Sequence, residues 1–107
     1  MDRRIMARYD VYEIQNSAID FVLDIQADLL NHLKSTVVIP MVDKKHFDSE
    51  ILEHLHPVIN VNDQDYILVT TDLSAIPRSY LGACVCNIRK SHDLDITNAL
   101  DFLFQGF

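Results

Sequence analysis

The groups in this chain able to transfer a proton or hold a metal are five histidines, sixteen acidic residues and two cysteines. His54 and His56, in Glu53-His54-Leu55-His56-Pro57, share a face if that segment is extended. With Glu53 or Asp63 nearby they would then offer part of a metal-binding set. The sequence favours the alternative, a pair of surface imidazoles at the entry to a strand. Asp24, Asp28 and Asp72 would serve as acid and base if two of them met, but carboxylates beside strand ends more often accept hydrogen bonds from turn amides. Cys84 and Cys86 are two apart, so on a strand they point to one face. No second cysteine pair or suitably spaced histidine cluster completes a tetrahedral set, and the expectation is two small strand residues in a reducing compartment. There is no glycine-rich phosphate loop and no serine elbow. These residues predict a protein without catalytic activity, metal or cofactor.

Charge narrows the partners. The chain has 107 residues and a formal net charge of −7, and its nine Lys and Arg are scattered in ones and twos. Proteins that grip nucleic acid draw their affinity from clustered bases, so direct nucleic-acid binding is not expected. No apolar stretch approaches the length needed to span a bilayer, and Met1 to Met6 lacks the apolar run of a secretory signal. No membrane contact and a cytoplasmic location are therefore expected. A chain this short supports one core with little surplus stability, which favours association into a dimer.

The elements that must position these groups are short. Tyr9, Val11 and Glu13 alternate with their neighbours and predict a first strand, with a turn at Gln15-Asn16-Ser17. Phe21 to Gln26 reads as a second strand and Val37 to Met41 as a third, closed by Pro40, which cannot donate to a central ladder. Val58 to Val61 and Gln64 to Thr71 flank Asn62-Asp63 as a hairpin, the turn type open. Pro77 should break any ladder after Ile76, and Ala83 to Arg89 resumes as a strand. Ser91 is the expected helix N-cap, with Asp93 and Asp95 in the first turn beside the positive end.

From Asp95 to Gln105 the pattern becomes helical. Ile96, Ala99, Leu100 and Leu103 fall within a stripe of about 100°, the width of one buried face. Asn98, Asp101 and Gln105 gather opposite, and Gly106-Phe107 follow. The fold class is mainly β with one C-terminal helix, a small barrel or two packed sheets.

Four segments in register resemble the CcdB toxin family of bacterial toxin–antitoxin modules. They are Phe21-Val22-Leu23-Asp24-Ile25-Gln26-Ala27-Asp28-Leu29-Leu30, Val37-Val38-Ile39-Pro40-Met41, Thr70-Thr71-Asp72-Leu73-Ser74-Ala75-Ile76-Pro77, and Asn98-Ala99 with Gly106-Phe107. The fit runs from about Tyr9 onward, so residues 1–107 read as a single CcdB-like domain with 1–8 as an N-terminal extension and Met6 as an alternative start. The resemblance implies an SH3-like barrel of the CcdB, Kid and MazF kind, a homodimer, and a CcdA-like antitoxin that folds on binding. It also implies a protein that traps the cleaved complex of DNA gyrase by contacting the gyrase A subunit. The contact residues it implies are Leu29, Leu30, Asp101, Phe104, Gln105, Gly106 and Phe107. Two of them depart from the family pattern, which has asparagine at Asp101 and tryptophan at Gln105. Two other readings remain beside it. One is a MazF- or Kid-like endoribonuclease, which would need clustered bases and a proton-transfer pair; the other is a non-toxic family member that binds an antitoxin.

Overall fold

The computed structural model describes residues 6–15 and 19–106. Most of the predicted turn at Asn16-Ser17, the start of the chain and Phe107 lie outside the described residues. The strands are β1 (Asp10–Ile14), β2 (Phe21–Asp24), β3 (Ser35–Asp43), β4 (Val58–Val61), β5 (Gln64–Leu68), β6 (Ser74–Pro77) and β7 (Leu81–Asn87), followed by helix α1 (Arg89–Gln105). They form one antiparallel sheet in the order β4-β5-β3-β2-β1-β7, with β6 beside β3.

Both faces of this sheet are apolar, which explains the continuous apolar runs. Val11, Leu23, Ile39 and Met41 join Ile59, Leu68, Ile88 and Ile96 in the main core. Their strand neighbours Tyr12, Val22 and Val38 face the other way and gather Met6, Ile14, Ile19, Ile76, Leu81 and Cys84. Helix α1 covers the main core with Ile96 and Ala99, both fully buried, while Leu100 and Leu103 are half-buried.

Four sequence expectations are corrected here. Pro40 does not close β3, which runs on to Asp43. Its carbonyl accepts from the Val69 N–H at 3.0 Å, so its backbone polar side faces away from β2. There the neighbour of β3 changes from β6, paired as far as Val38, to β5, paired from Met41, and the missing N–H falls at the break. Pro77 likewise does not end a ladder early, because it is itself paired with Ser35 as the last residue of β6. The helix begins at Arg89 rather than after Ser91, and its N-cap is Ile88 without a side-chain cap. The Ser91 hydroxyl donates instead to the Ile88 carbonyl at 3.3 Å, and no acidic residue lies in the first turn. Finally, Cys84 and Cys86 do not share a face. The β1–β7 register shifts between Val11 and Tyr12, and this irregularity sends Cys86 into the main core and Cys84 to the opposite face.

The hairpin at Asn62-Asp63 is resolved by its dihedral angles. Both residues have positive φ, 52° and 65°, the signature of a type I′ turn, whose twist matches its flanking strands.

Ile96 is the residue on which the docking of α1 turns. Ile96→Ala should lower unfolding free energy by about 2–5 kcal/mol, the usual cost of such a cavity, read from urea denaturation. A loss below about 1 kcal/mol would mean the helix is not held by this stripe.

Candidate functional site

Helix α1 sets out one half of the predicted contact surface. Phe104 is 70% exposed, and Asp101, Gln105 and Gly106 are exposed beside it. Gly106 has φ of +81°, and its N–H donates to the Phe102 carbonyl at 2.9 Å, so it closes the helix in a left-handed conformation that glycine adopts without strain. An added Cβ would meet nothing there; the constraint is backbone conformation, not space. Asp101 borders a groove of about 540 Å³ between α1 and the chain before β4, lined by Glu53, His54, Asp95, Asn98 and Phe102 among others.

The other half lies at the opposite end of the helix. Leu29 is 88% exposed and Leu30 43%, in a 3₁₀ turn spanning Asp28–Leu30, and Leu33 is 41% exposed just beyond it. An exposed pair between Asp28 and Arg89, 3.6 Å apart, places this turn beside the first residue of α1. Phe104 is fifteen residues further along, about 22 Å at 1.5 Å per residue. The structure therefore brings Asp101, Phe104, Gln105 and Gly106 together and holds Leu29 and Leu30 apart from them.

Of the two imidazoles expected at the surface, only His54 is there, which corrects that expectation for His56. His56 is buried, its Nδ1 accepts from the Leu52 N–H at 3.0 Å, and its ring meets Phe47 edge-on. His54 instead lies exposed and stacked on Phe102 at 5.1 Å. Among the described residues no group of three or more His, Cys, Asp or Glu is placed to hold a metal ion. No helix among them is long and apolar enough to cross a membrane.

Sequence reasoning missed a buried polar cluster. Asp24 is almost fully buried; its Oδ1 accepts from the Thr36 hydroxyl at 2.7 Å and from the Gln26 N–H at 3.1 Å. The Arg78 guanidinium stands 3.7 Å from its Oδ2. Burial raises the Asp24 pKa above its ordinary 3.8, against the opposing pull of Thr36, Gln26 and Arg78. Neither Asp28 nor Asp72 is the partner the sequence offered; the partners come from β3 and from the residue after β6. Beside it Asp10, fully buried, accepts from the Tyr12 hydroxyl at 2.8 Å and from Asn87 Nδ2 at 2.9 Å. Burial, then this bond to Asp10, raises the Tyr12 pKa.

The family described as CcdB protein matches residues 8–106. The chain belongs to this family. Solved structures add likeness of fold. An endoribonuclease in complex with its cognate antitoxin, from a mycobacterial species, superposes with a TM-score of 0.74 at 14% identity, over 92% of this chain and 94% of that one. The Mycobacterium tuberculosis toxin MazF-mt6 gives 0.74 at 18% identity, over 89% and 95%. A further mycobacterial endoribonuclease gives 0.75 at 13% identity, over 97% and 95%.

These likenesses correct the expectation of a protein without catalytic activity. That expectation rested on the absence of clustered bases and of a recognisable proton-transfer pair. Chains named as endoribonucleases carry this same architecture, and here Asp24, Thr36 and Arg78, distant in sequence, meet in space.

The raised pKa of Asp24 sets a test of this cluster. The folded chain keeps the Asp24 proton at a pH where the unfolded chain has lost it, so this contribution to stability is present below pH 3.8 and is lost as pH rises through the raised value. Asp24→Asn cannot titrate. Its stability relative to the parent chain, from urea unfolding at a series of pH values, should therefore increase as pH rises through the acidic range. A relative stability that falls with pH would mean that Arg78 and Thr36 outweigh burial.

Proposed function

We propose that this CcdB-family protein is the toxin of a type II toxin–antitoxin module and that its target is the A subunit of DNA gyrase, whose cleaved DNA complex it holds open. The observation that carries the reading is the exposed aromatic ring of Phe104 at the end of a helix anchored through buried Ile96 and Ala99. A large ring kept in water by a well-docked helix contributes little to folding and is suited to fill a partner's pocket. Leu29 and Leu30 supply a second apolar contact. The neutralising partner is a CcdA-like antitoxin, a reading supported by family membership and by the antitoxin bound in one structural neighbour.

The test measures folding and target binding together. Phe104→Ala should change stability by less than about 1 kcal/mol and weaken gyrase A binding tenfold or more. Gln105→Trp should strengthen binding, because an indole buries more area and stacks on cations where an amide does not. Binding that survives Phe104→Ala would remove the gyrase reading. Growth arrest in a host whose gyrase A resists such toxins would do the same.

A second reading is favoured by the Asp24–Thr36–Arg78 cluster, in which a carboxylate able to move a proton lies beside a guanidinium able to hold a phosphate. Incubation of the chain with RNA decides it. Cleavage lost in Asp24→Asn would put this reading first.

We also infer that a second copy covers the outer face of the sheet, where Ile14, Ile76 and Leu81 are half-buried around Tyr12, Val22 and Val38. Sedimentation at micromolar concentration should return twice the chain mass. Ile14→Asp, a charge on this face, should shift it toward the monomer. A parent chain that sediments as a monomer would contradict the inference.

A further inference from the structure

The segment that carries Leu29 and Leu30 has little packing of its own. It is a single 3₁₀ turn with no buried residue, and its leucines point into solvent. A turn this short is not stable by itself. At its start the Arg8 N–H donates to the Asp28 carboxylate at 2.7 Å and Arg89 pairs with the same group, while its far end is held through carbonyl oxygens, chiefly by one side chain. Arg78 Nε donates to the Leu33 carbonyl at 2.6 Å and Nη2 to the Leu30 carbonyl at 3.4 Å, while Nη1 faces Asp24 at 3.7 Å and the Met6 sulfur at 3.3 Å. The Arg78 backbone N–H adds a bond to the Lys34 carbonyl at 2.8 Å. Gln26 closes the near side, its amide donating to the Leu30 and Ser35 carbonyls, each at 3.2 Å.

We propose that Arg78 is a positioning residue for the Leu29–Leu30 contact, its guanidinium pinning the leucine-bearing turn to the buried Asp24 carboxylate. The pairing of Pro77 with Ser35 delivers Arg78 to the end of the turn, and the planar fork reaches two carbonyls and the carboxylate at once. The forked donor is what the task needs; a single ammonium cannot reproduce it. A turn held in one conformation before binding meets its partner without a further ordering cost, so the anchor raises affinity without touching the partner. The inference rests on the gyrase reading of Leu29 and Leu30.

The experiment is a double-mutant cycle between Arg78→Met, which keeps the aliphatic stem, and Leu29→Ala with Leu30→Ala, read as affinity for the gyrase A dimer. Amide exchange at Asn31 and Leu33, whose N–H groups bond Asp28 and Leu30 carbonyls across the turn, is measured in parallel. Arg78→Met should speed exchange at these amides tenfold or more while leaving Ile39 in β3 unchanged, and should weaken binding about tenfold. In the chain already lacking both leucines it should cost nothing further, and Arg78→Lys should restore only part of the loss. If removing the leucines leaves binding intact, the gyrase reading of this turn fails. If removing them weakens binding and Arg78→Met does not, or if Arg78→Met weakens binding equally with the leucines absent, the positioning role is overturned. Faster exchange at Ile39 would also overturn it, because Arg78 would then support the fold at large.

Discussion

The seating of α1 on the main core is the constraint from which the exposure of Phe104 and Gln105 follows. Ile96 and Ala99 are buried completely and Leu100 and Leu103 partly, which fixes the rotation of the helix about its axis. Phe104 and Gln105 are therefore displayed by geometry. The start of the helix is fixed just as firmly: the Ile88 N–H bonds the Tyr9 carbonyl at 3.0 Å, and the Tyr9 N–H bonds the Asp24 carbonyl at 2.6 Å. Tyr9 holds a positive φ of 72° although it is a bulky residue, a strained conformation that persists because its ring and both backbone groups are engaged. One buried tyrosine thus ties the beginning of α1 to β2, the strand that leads into the leucine turn.

Asp24 joins the two halves of the account. Its carbonyl meets Tyr9 at the root of the helix, and its carboxylate meets Arg78 at the root of the leucine turn. A buried carboxylate beside a guanidinium is weak evidence for stability, since the desolvation of both charges offsets much of their attraction. What such a pair supplies here is fixed geometry.

Local pattern made much of this legible. Six of the seven strands, the Asn62-Asp63 hairpin and the buried stripe of α1 follow from alternation, turn chemistry and helical periodicity; β6 (Ser74–Pro77) escapes these patterns because it is short, ends on proline and is defined by its pairing with β3. The errors within the sheet share one cause, which is that sequence spacing says nothing about which strand lies alongside. Pro40 is tolerated because the neighbouring strand changes at that residue. Cys84 and Cys86 part company because β1 shifts register opposite them. Asp24 could be given no partner because Arg78 reaches it from beyond β6 and Thr36 from the neighbouring β3. The chain's acidity argued against nucleic acid, yet net charge describes the surface and leaves unsaid what a handful of side chains do where they converge. Likeness to named endoribonucleases is likeness of fold, and function must be argued from sites.

The central claim is that the exposed end of α1 and the anchored leucine turn form the contact with gyrase A. Hydrogen exchange with and without the gyrase A dimer tests it most directly, because each amide reports its own environment in one experiment. The account predicts slowed exchange at residues 101–106 and at 29–33, with the chain before β4 unchanged. Protection confined to the surroundings of Asp24 and Arg78, or absent from the end of α1, would contradict it.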